Sequence, residues 1–154
     1  MNLQIARIKK TEEILRLYPE AGDKASKKIK KNVQRDLHKA KRGNRIVFGA
    51  KYRGKMVGTI QLVFKAKDDM ADGKTKAHLH HARVAEKLRS KGIGTKLIEV
   101  AEDTARKRGF VTVTLGVEAL NKDAIRLYRY LGYREFKRYK GKAGELFIGM
   151  KKKL

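Results

Sequence analysis

Cysteine is absent from this chain, which excludes disulfides, thiolate zinc sites and a thiol nucleophile. Long apolar runs are absent too. None is long enough to span a bilayer, and the opening Met1-Asn2-Leu3-Gln4 lacks the apolar segment of a signal peptide, so a cytoplasmic chain without membrane association is expected. Acidic residues are few: 16 Asp and Glu face 40 Lys and Arg, a formal net charge of +24. A field of that sign steers anions and holds nucleic acid or acidic protein non-specifically, more weakly as salt rises. A lysine-rich surface with no partner has the same charge, so charge alone leaves both readings open. What is present suffices for a core: 41% of the 154 residues are hydrophobic, enough for one domain over residues 1–154 with no linker or internal repeat.

The stretch from Val84 to Leu97 organises the rest. A strand-like run ends there, Gly92 and Gly94 follow, and an amphipathic helix begins at about Thr95. Glycine lets the backbone turn and lets a ligand approach the amides closely. The first N–H groups of the helix have no intrahelical partner, so its N-terminus favours a phosphate. Arg89, Lys91 and Lys96 add full charges around it. The spacing does not fit a Walker loop, because Gly94 is followed by Thr95 before Lys96, nor a dinucleotide fingerprint, whose third glycine would replace Leu97.

Apolar periodicity outlines the remaining elements. Leu3 to Ile8 reads as a strand. Thr11 is placed to cap a short helix that Pro19 stops. Ile29, Val33, Leu37 and Ala40 form one stripe of a second helix, from about Lys24 to Ala40. Between residues 24 and 42, nine basic residues accompany one acid; that face is either solvated or a guide for an acidic partner. Arg45 to Tyr52 and Met56 to Phe64 read as a hairpin, and Lys65 to Lys76 as a polar loop. His78 to Val84 resumes a strand. The helix after the glycine turn buries Leu97, Ile98, Ala101 and Ala105 and ends at Gly109, and Phe110 to Val117 is the next strand. Such a crossover makes the two strands parallel, with ligands beyond their carboxyl ends. Asn121 caps a last helix with Ala124, Leu127, Tyr128 and Leu131 on one side. Phe136 to Tyr139 and Glu145 to Met150 form a closing hairpin, followed by a basic tail.

Two motifs stand at matching places in this order: Arg89-x-x-Gly92-x-Gly94, and Asn121-x-x-Ala124-x-x-Leu127-Tyr128-x-x-Leu131-Gly132-Tyr133. Together they resemble the two signatures of the GNAT superfamily of N-acetyltransferases, over about residues 45 to 150. The resemblance implies an α/β fold: a mixed, mostly antiparallel sheet of six or seven strands with about four helices, its parallel central strands splayed around acetyl-CoA. It implies that Arg89, Lys91, Gly92, Ile93, Gly94 and Thr95 wrap the pyrophosphate of coenzyme A. It further implies a bulged strand on which the Val84 amide polarises the thioester carbonyl. Glu86 replaces the proline usual after that strand. Tyr128 corresponds to the residue that protonates the departing thiolate, with a core tyrosine as the alternative, and Asn121 is either a coenzyme contact or only a helix cap.

The expected reaction is direct acetyl transfer to a primary amine of an unidentified acceptor. The alternative is a module binding RNA or another polyanion, with weak or no catalysis. An acceptor lysine is almost wholly protonated at neutral pH, so a base is required. The candidates are His78, His80, His81, Glu86 and Glu118, with His81 preferred. On a regular strand, His78 and His80 share one face and His81 lies on the other. His78 and His80 have no third ligand at metal spacing, so no metal is expected. The state of assembly, monomer or homodimer, is left open.

Overall fold

Alternating apolar runs become strands here, and stripes at three and four residues become helices. The computed structural model describes residues 2–18 and 22–154. Along the chain lie β1 (Leu3–Arg7), α1 (Thr11–Leu15), α2 (Asp23–Lys41), β2 (Arg45–Tyr52), β3 (Lys55–Val63), β4 (Lys76–Val84), α3 (Ile93–Lys107), β5 (Thr112–Glu118), α4 (Lys122–Tyr130), β6 (Arg134–Lys140) and β7 (Leu146–Lys153). The seven strands form one sheet in the order β1-β2-β3-β4-β5-β7-β6. Every neighbouring pair is antiparallel except β4 and β5.

The two faces of the sheet are covered differently. Ile46, Phe48, Ile60 and Leu62 meet Leu97, Ile98 and Ala101 of α3, and Ile125 of α4 joins the same cluster. On the other face Ile8, Val47 and Met56 pack with Ile14 and Leu17, against Val33 and Leu37 of α2. Leu97 is 1% exposed, and burying such a side chain contributes about 1.5–3 kcal/mol. At Gly58 of β3, a Cβ would lie 3.1 Å from both Ile93 Cγ2 and Leu97 Cδ1, so the start of α3 rests directly on strand backbone.

The parallel pairing is short. Only Lys76 to Leu79 face Thr112 to Leu115. Beyond that point β4 stays with β3 and β5 stays with β7, so the two strands part in the middle of the sheet.

Several expectations need correction. Thr11 is the first residue of α1 and caps nothing; Lys10 holds the cap position. The stop assigned to Pro19 lies outside the described residues. Helix α3 starts at Ile93, two residues before Thr95, because Gly92 takes φ 84 and serves as its N-cap. On α4 the deeply buried residue is Ile125, at 5% exposure, while Leu127 is 39% exposed. Leu127 stands about 100° round the helix from Tyr128, away from the sheet.

The basic tail is a strand: Lys151 lies between Thr114 of β5 and Arg134 of β6, and Lys152 and Lys153 pair with Val113 and Thr112. Lys152 reaches the buried Glu102 at 3.0 Å, which also accepts the Tyr133 hydroxyl at 2.6 Å. The loop 65–76 is polar only in part, since Met70 and Ala71 are buried at 3% and 1% exposure.

Candidate active site

The glycine turn has the geometry of an anion cradle. The first intrahelical bond of α3 runs from Lys96 N–H to the Gly92 carbonyl at 3.0 Å, so the amides of Ile93, Gly94 and Thr95 precede any helical acceptor. Gly92 needs its left-handed backbone. Gly94 does not: a Cβ there would meet only Val84 Cγ2, at 3.7 Å. There is therefore room beside its Cα for a ligand to approach the turn. Arg89 Nε donates to the Val84 carbonyl at 3.2 Å and ties the turn to the end of β4. Lys91 is exposed beside it. Ile93 contributes only backbone here, because its side chain is 1% exposed in the core. Glu86 opens a short 3-10 turn after β4.

Where β4 and β5 part, a cavity of about 600 Å³ opens. His78, His80, His81 and Ala82 line it from β4, and Leu115 to Glu118 from β5. Asn121, Ala124 and Tyr128 line it from α4, with Met70, Tyr139 and Phe147 also at its wall. The structure thus brings together Tyr128, Asn121, Glu118 and the three histidines. Val84 stands beyond the bulge, opposite Gly58. Glu86 and the cradle residues are not part of the lining.

Asn121 caps α4, its side chain accepting from Ala124 N–H at 3.2 Å. Gly132, at φ 103, ends the helix, and Tyr133 then anchors it, its N–H bonded to the Tyr128 carbonyl at 2.9 Å. Tyr128 meets the Tyr133 ring edge-on at 6.1 Å. Burial pushes the Tyr128 phenol above its ordinary range and keeps it protonated.

The strand β4 bulges between its pairings with Gln61 and Thr59. His81 sits in the bulge with φ 50, a left-handed conformation uncommon for a residue with a side chain. The extra residue breaks the alternation that would have put His81 on the opposite face. Instead its ring centroid lies 3.7 Å from that of His80, which is 5.6 Å from His78. All three line one wall.

Their chemistry differs. The buried Thr114 hydroxyl has one proton and places it on the Met70 carbonyl at 2.6 Å. His78 Nδ1, 2.9 Å from the same oxygen, is therefore the donor, which leaves Nε2 bare. Burial lowers the His78 pKa to about 4. His80 is lowered by burial and by its two histidine neighbours. His81 is lowered by burial and, less, by Arg45 and Arg35, with Asp36 opposing. At neutral pH the wall is uncharged. Among the described residues, no group of three His, Cys, Asp or Glu is placed to hold a metal ion.

Behind His81 is a network that the sequence motifs did not point to. Asp36 of α2 is 4% exposed. Its Oδ2 accepts from Gln61 Nε2 at 3.0 Å, and its Oδ1 lies 3.4 Å from Arg45 Nη1. Arg45 Nη1 also donates to Gln61 Oε1 at 2.8 Å. The signal was present: Asp36 stands three residues from Val33 and seven from Ile29, so the one acid of the basic run falls on the apolar stripe.

Known proteins are similar to this chain. An uncharacterised N-acetyltransferase of Methanocaldococcus jannaschii is 43% identical over 65 residues, 42% of this chain and 29% of that protein. A protein of Xenopus tropicalis named "Probable N-acetyltransferase camello" is 31% identical over 121 residues, 77% of this chain and 52% of that one. The chain therefore spans about half or less of the length of these curated relatives. The crystal structure of the PaiA N-acetyltransferase from Thermoplasma acidophilum, in complex with coenzyme A, superposes with a TM-score of 0.69 at 18% identity, covering 100% of both chains. The profile of the Acetyltransferase (GNAT) family matches residues 9–133, and the chain belongs to that family.

Proposed function

We propose that the chain, acting as one domain, transfers an acetyl group from acetyl-CoA to a primary amine on a peptide, a protein or a small molecule. The observation that carries this reading is the cavity between the splayed strands: Tyr128 and Asn121 stand on one side of it, the histidines of β4 on the other, and β4 leads straight into the anion cradle. The residues present fit coenzyme A. Open amides at Ile93, Gly94 and Thr95, with Arg89 and Lys91 beside them, suit a pyrophosphate, and the cavity suits an extended arm carrying a thioester.

In this reading each group has one task. The Val84 amide supports the carbonyl oxygen as charge develops there. His81 takes the proton of the acceptor ammonium, and the freed amine forms the new C–N bond. Tyr128 gives its proton to the sulfur as the C–S bond breaks, and the second proton that the nitrogen loses on becoming an amide restores the phenol. A net charge of +24 disfavours polycationic acceptors and favours neutral or acidic ones. Thermal shift with acetyl-CoA, repeated at high salt, tests the site. At a hundred times its dissociation constant a ligand stabilises a fold by about 2.7 kcal/mol, roughly 5 to 11 °C for a domain of this size. A saturable shift that persists in salt supports the reading; no shift, or one that salt abolishes, overturns it.

A second reading, attachment to RNA or another polyanion, draws support from α2. Its last acid, Asp36, points inward, and among the described residues none of the lysines from Lys24 to Lys41 has an ion-pair partner. Beyond its first residue, the exposed side of the helix carries no acid. Such a face is compatible with catalysis and would bring the enzyme to an acidic macromolecule.

A further inference from the structure

We propose that Asp36 is a positioning residue of the transfer site: held by Gln61 and Arg45, its carboxylate fixes His81 with the proton on Nε2 and leaves Nδ1 to accept the proton of the substrate amine. This rests on the reading of His81 as base.

The geometry singles out His81 among the three imidazoles. His81 alone of them is in ion-pair contact with a carboxylate, Nε2 to Asp36 Oδ2 at 3.9 Å. His78 has already committed its Nδ1–H to Thr114. His81 also lines both the transfer cavity and a small pocket of about 90 Å³ that Ile14, Tyr18, Val33, Asp36 and Gln61 border. A proton taken from an amine between the two therefore has a charged partner directly behind the ring. The 3.9 Å separation is longer than a hydrogen bond, as catalytic contacts often are before a substrate closes the site.

Compensation of Asp36 alone would need only a close pair with Arg45. Instead the arginine stands off at 3.4 Å and shares Nη1 with Gln61. Gln61 in turn donates from Nε2, at 3.0 Å, to Oδ2, the oxygen that lies nearest His81. Gln61 is thus oriented from both sides and holds the carboxylate in place. The groups around His81 are Asp36 and Arg35 from α2, Arg45 from β2, His80 on its own strand and Tyr18, just beyond α1. From β3 come the uncharged Thr59 and Gln61. Asp36 is the single anion among them; Asp68 and Glu118 line the same cavity but are not among the charges that act on His81. It favours the imidazolium, so its removal lowers the pKa of His81.

The test is a nitrogen-15 NMR titration of the histidine rings in the whole chain, first unaltered and then as Asp36→Asn. The expected result is a neutral His81 protonated on Nε2, whose midpoint falls and whose tautomers mix in the variant, while His78 stays protonated on Nδ1 in both. A His81 protonated on Nδ1 in the unaltered chain overturns the proposal, and this measurement stands whether or not the variant folds. So does a folded Asp36→Asn in which neither midpoint nor tautomer moves.

The base reading is tested apart from this. With acetyl-CoA and a mixture of short peptides bearing free α-amines, His81→Gln should abolish most turnover. Asp36→Asn should lower it on the order of tenfold and move the acid limb of kcat/KM to lower pH, with KM for acetyl-CoA kept. Full turnover in His81→Gln would refute His81 as base without touching the tautomer result.

Discussion

Tyr128 shows how one residue serves two purposes. Its backbone carbonyl holds Tyr133, and its ring stands on the α4 side of the cavity. A phenol that burial keeps protonated is a poor base and a competent acid for a thiolate formed beside it. Tyr128→Phe keeps the ring and removes only the proton. Turnover is expected to fall about 10²- to 10⁴-fold, the range for loss of a general acid, while the thermal shift with acetyl-CoA stays nearly the same. Steady-state rates of coenzyme A release decide this, and unchanged turnover would remove Tyr128 from the mechanism.

At the scale of elements, the junction of β4 and α3 carries the coenzyme reading, and its two glycines differ. Gly92, at φ 84, holds a conformation that costs an L-residue roughly 1–2 kcal/mol. Gly94 lies inside the first turn of α3 with room for a methyl group, and alanine in place of glycine favours a helix by about 1 kcal/mol. Gly92→Ala is expected to lower Tm by roughly 2 to 8 °C, while Gly94→Ala leaves it unchanged or slightly raised. Melting curves of the two variants distinguish them. The reverse order would mean that the helix does not begin at Ile93.

Charge is a property of the whole molecule. Of the 40 basic residues, nine fall between residues 24 and 42, on α2 and its C-cap, next to the pocket that Asp36 lines. Lys27→Glu with Lys31→Glu reverses the charge at two positions there without touching the cavity. If α2 holds a polyanion, affinity for a mixed single-stranded RNA should fall. The slope of log K against log salt should also flatten by about 0.7 for each phosphate that the helix no longer neutralises. The acetyl-CoA shift should be unaltered. An RNA affinity that does not respond would assign the charge to general solvation of the surface.

What was legible in the residues is what local pattern controls. The glycine turn, the crossover helix, the Asn121 cap and the closing hairpin are set by periodicity and by backbone needs within a few positions, and two spaced motifs then identified the family. The tertiary structure alone decided the rest. A one-residue bulge in β4 depends on its register with β3, and that register placed His81 beside His80. The C-terminal lysines became a strand because β5 and β6 offered free edges on either side, and because Glu102 and Tyr133 received Lys152. Met70 entered the wall because Thr114, far along the chain, donates to its carbonyl. Asp36, on a helix, gained its environment from Arg45 and Gln61 on the strands β2 and β3. Periodicity placed it on the buried stripe, but a carboxylate in an interior is explained only by the partners that the fold carries to it.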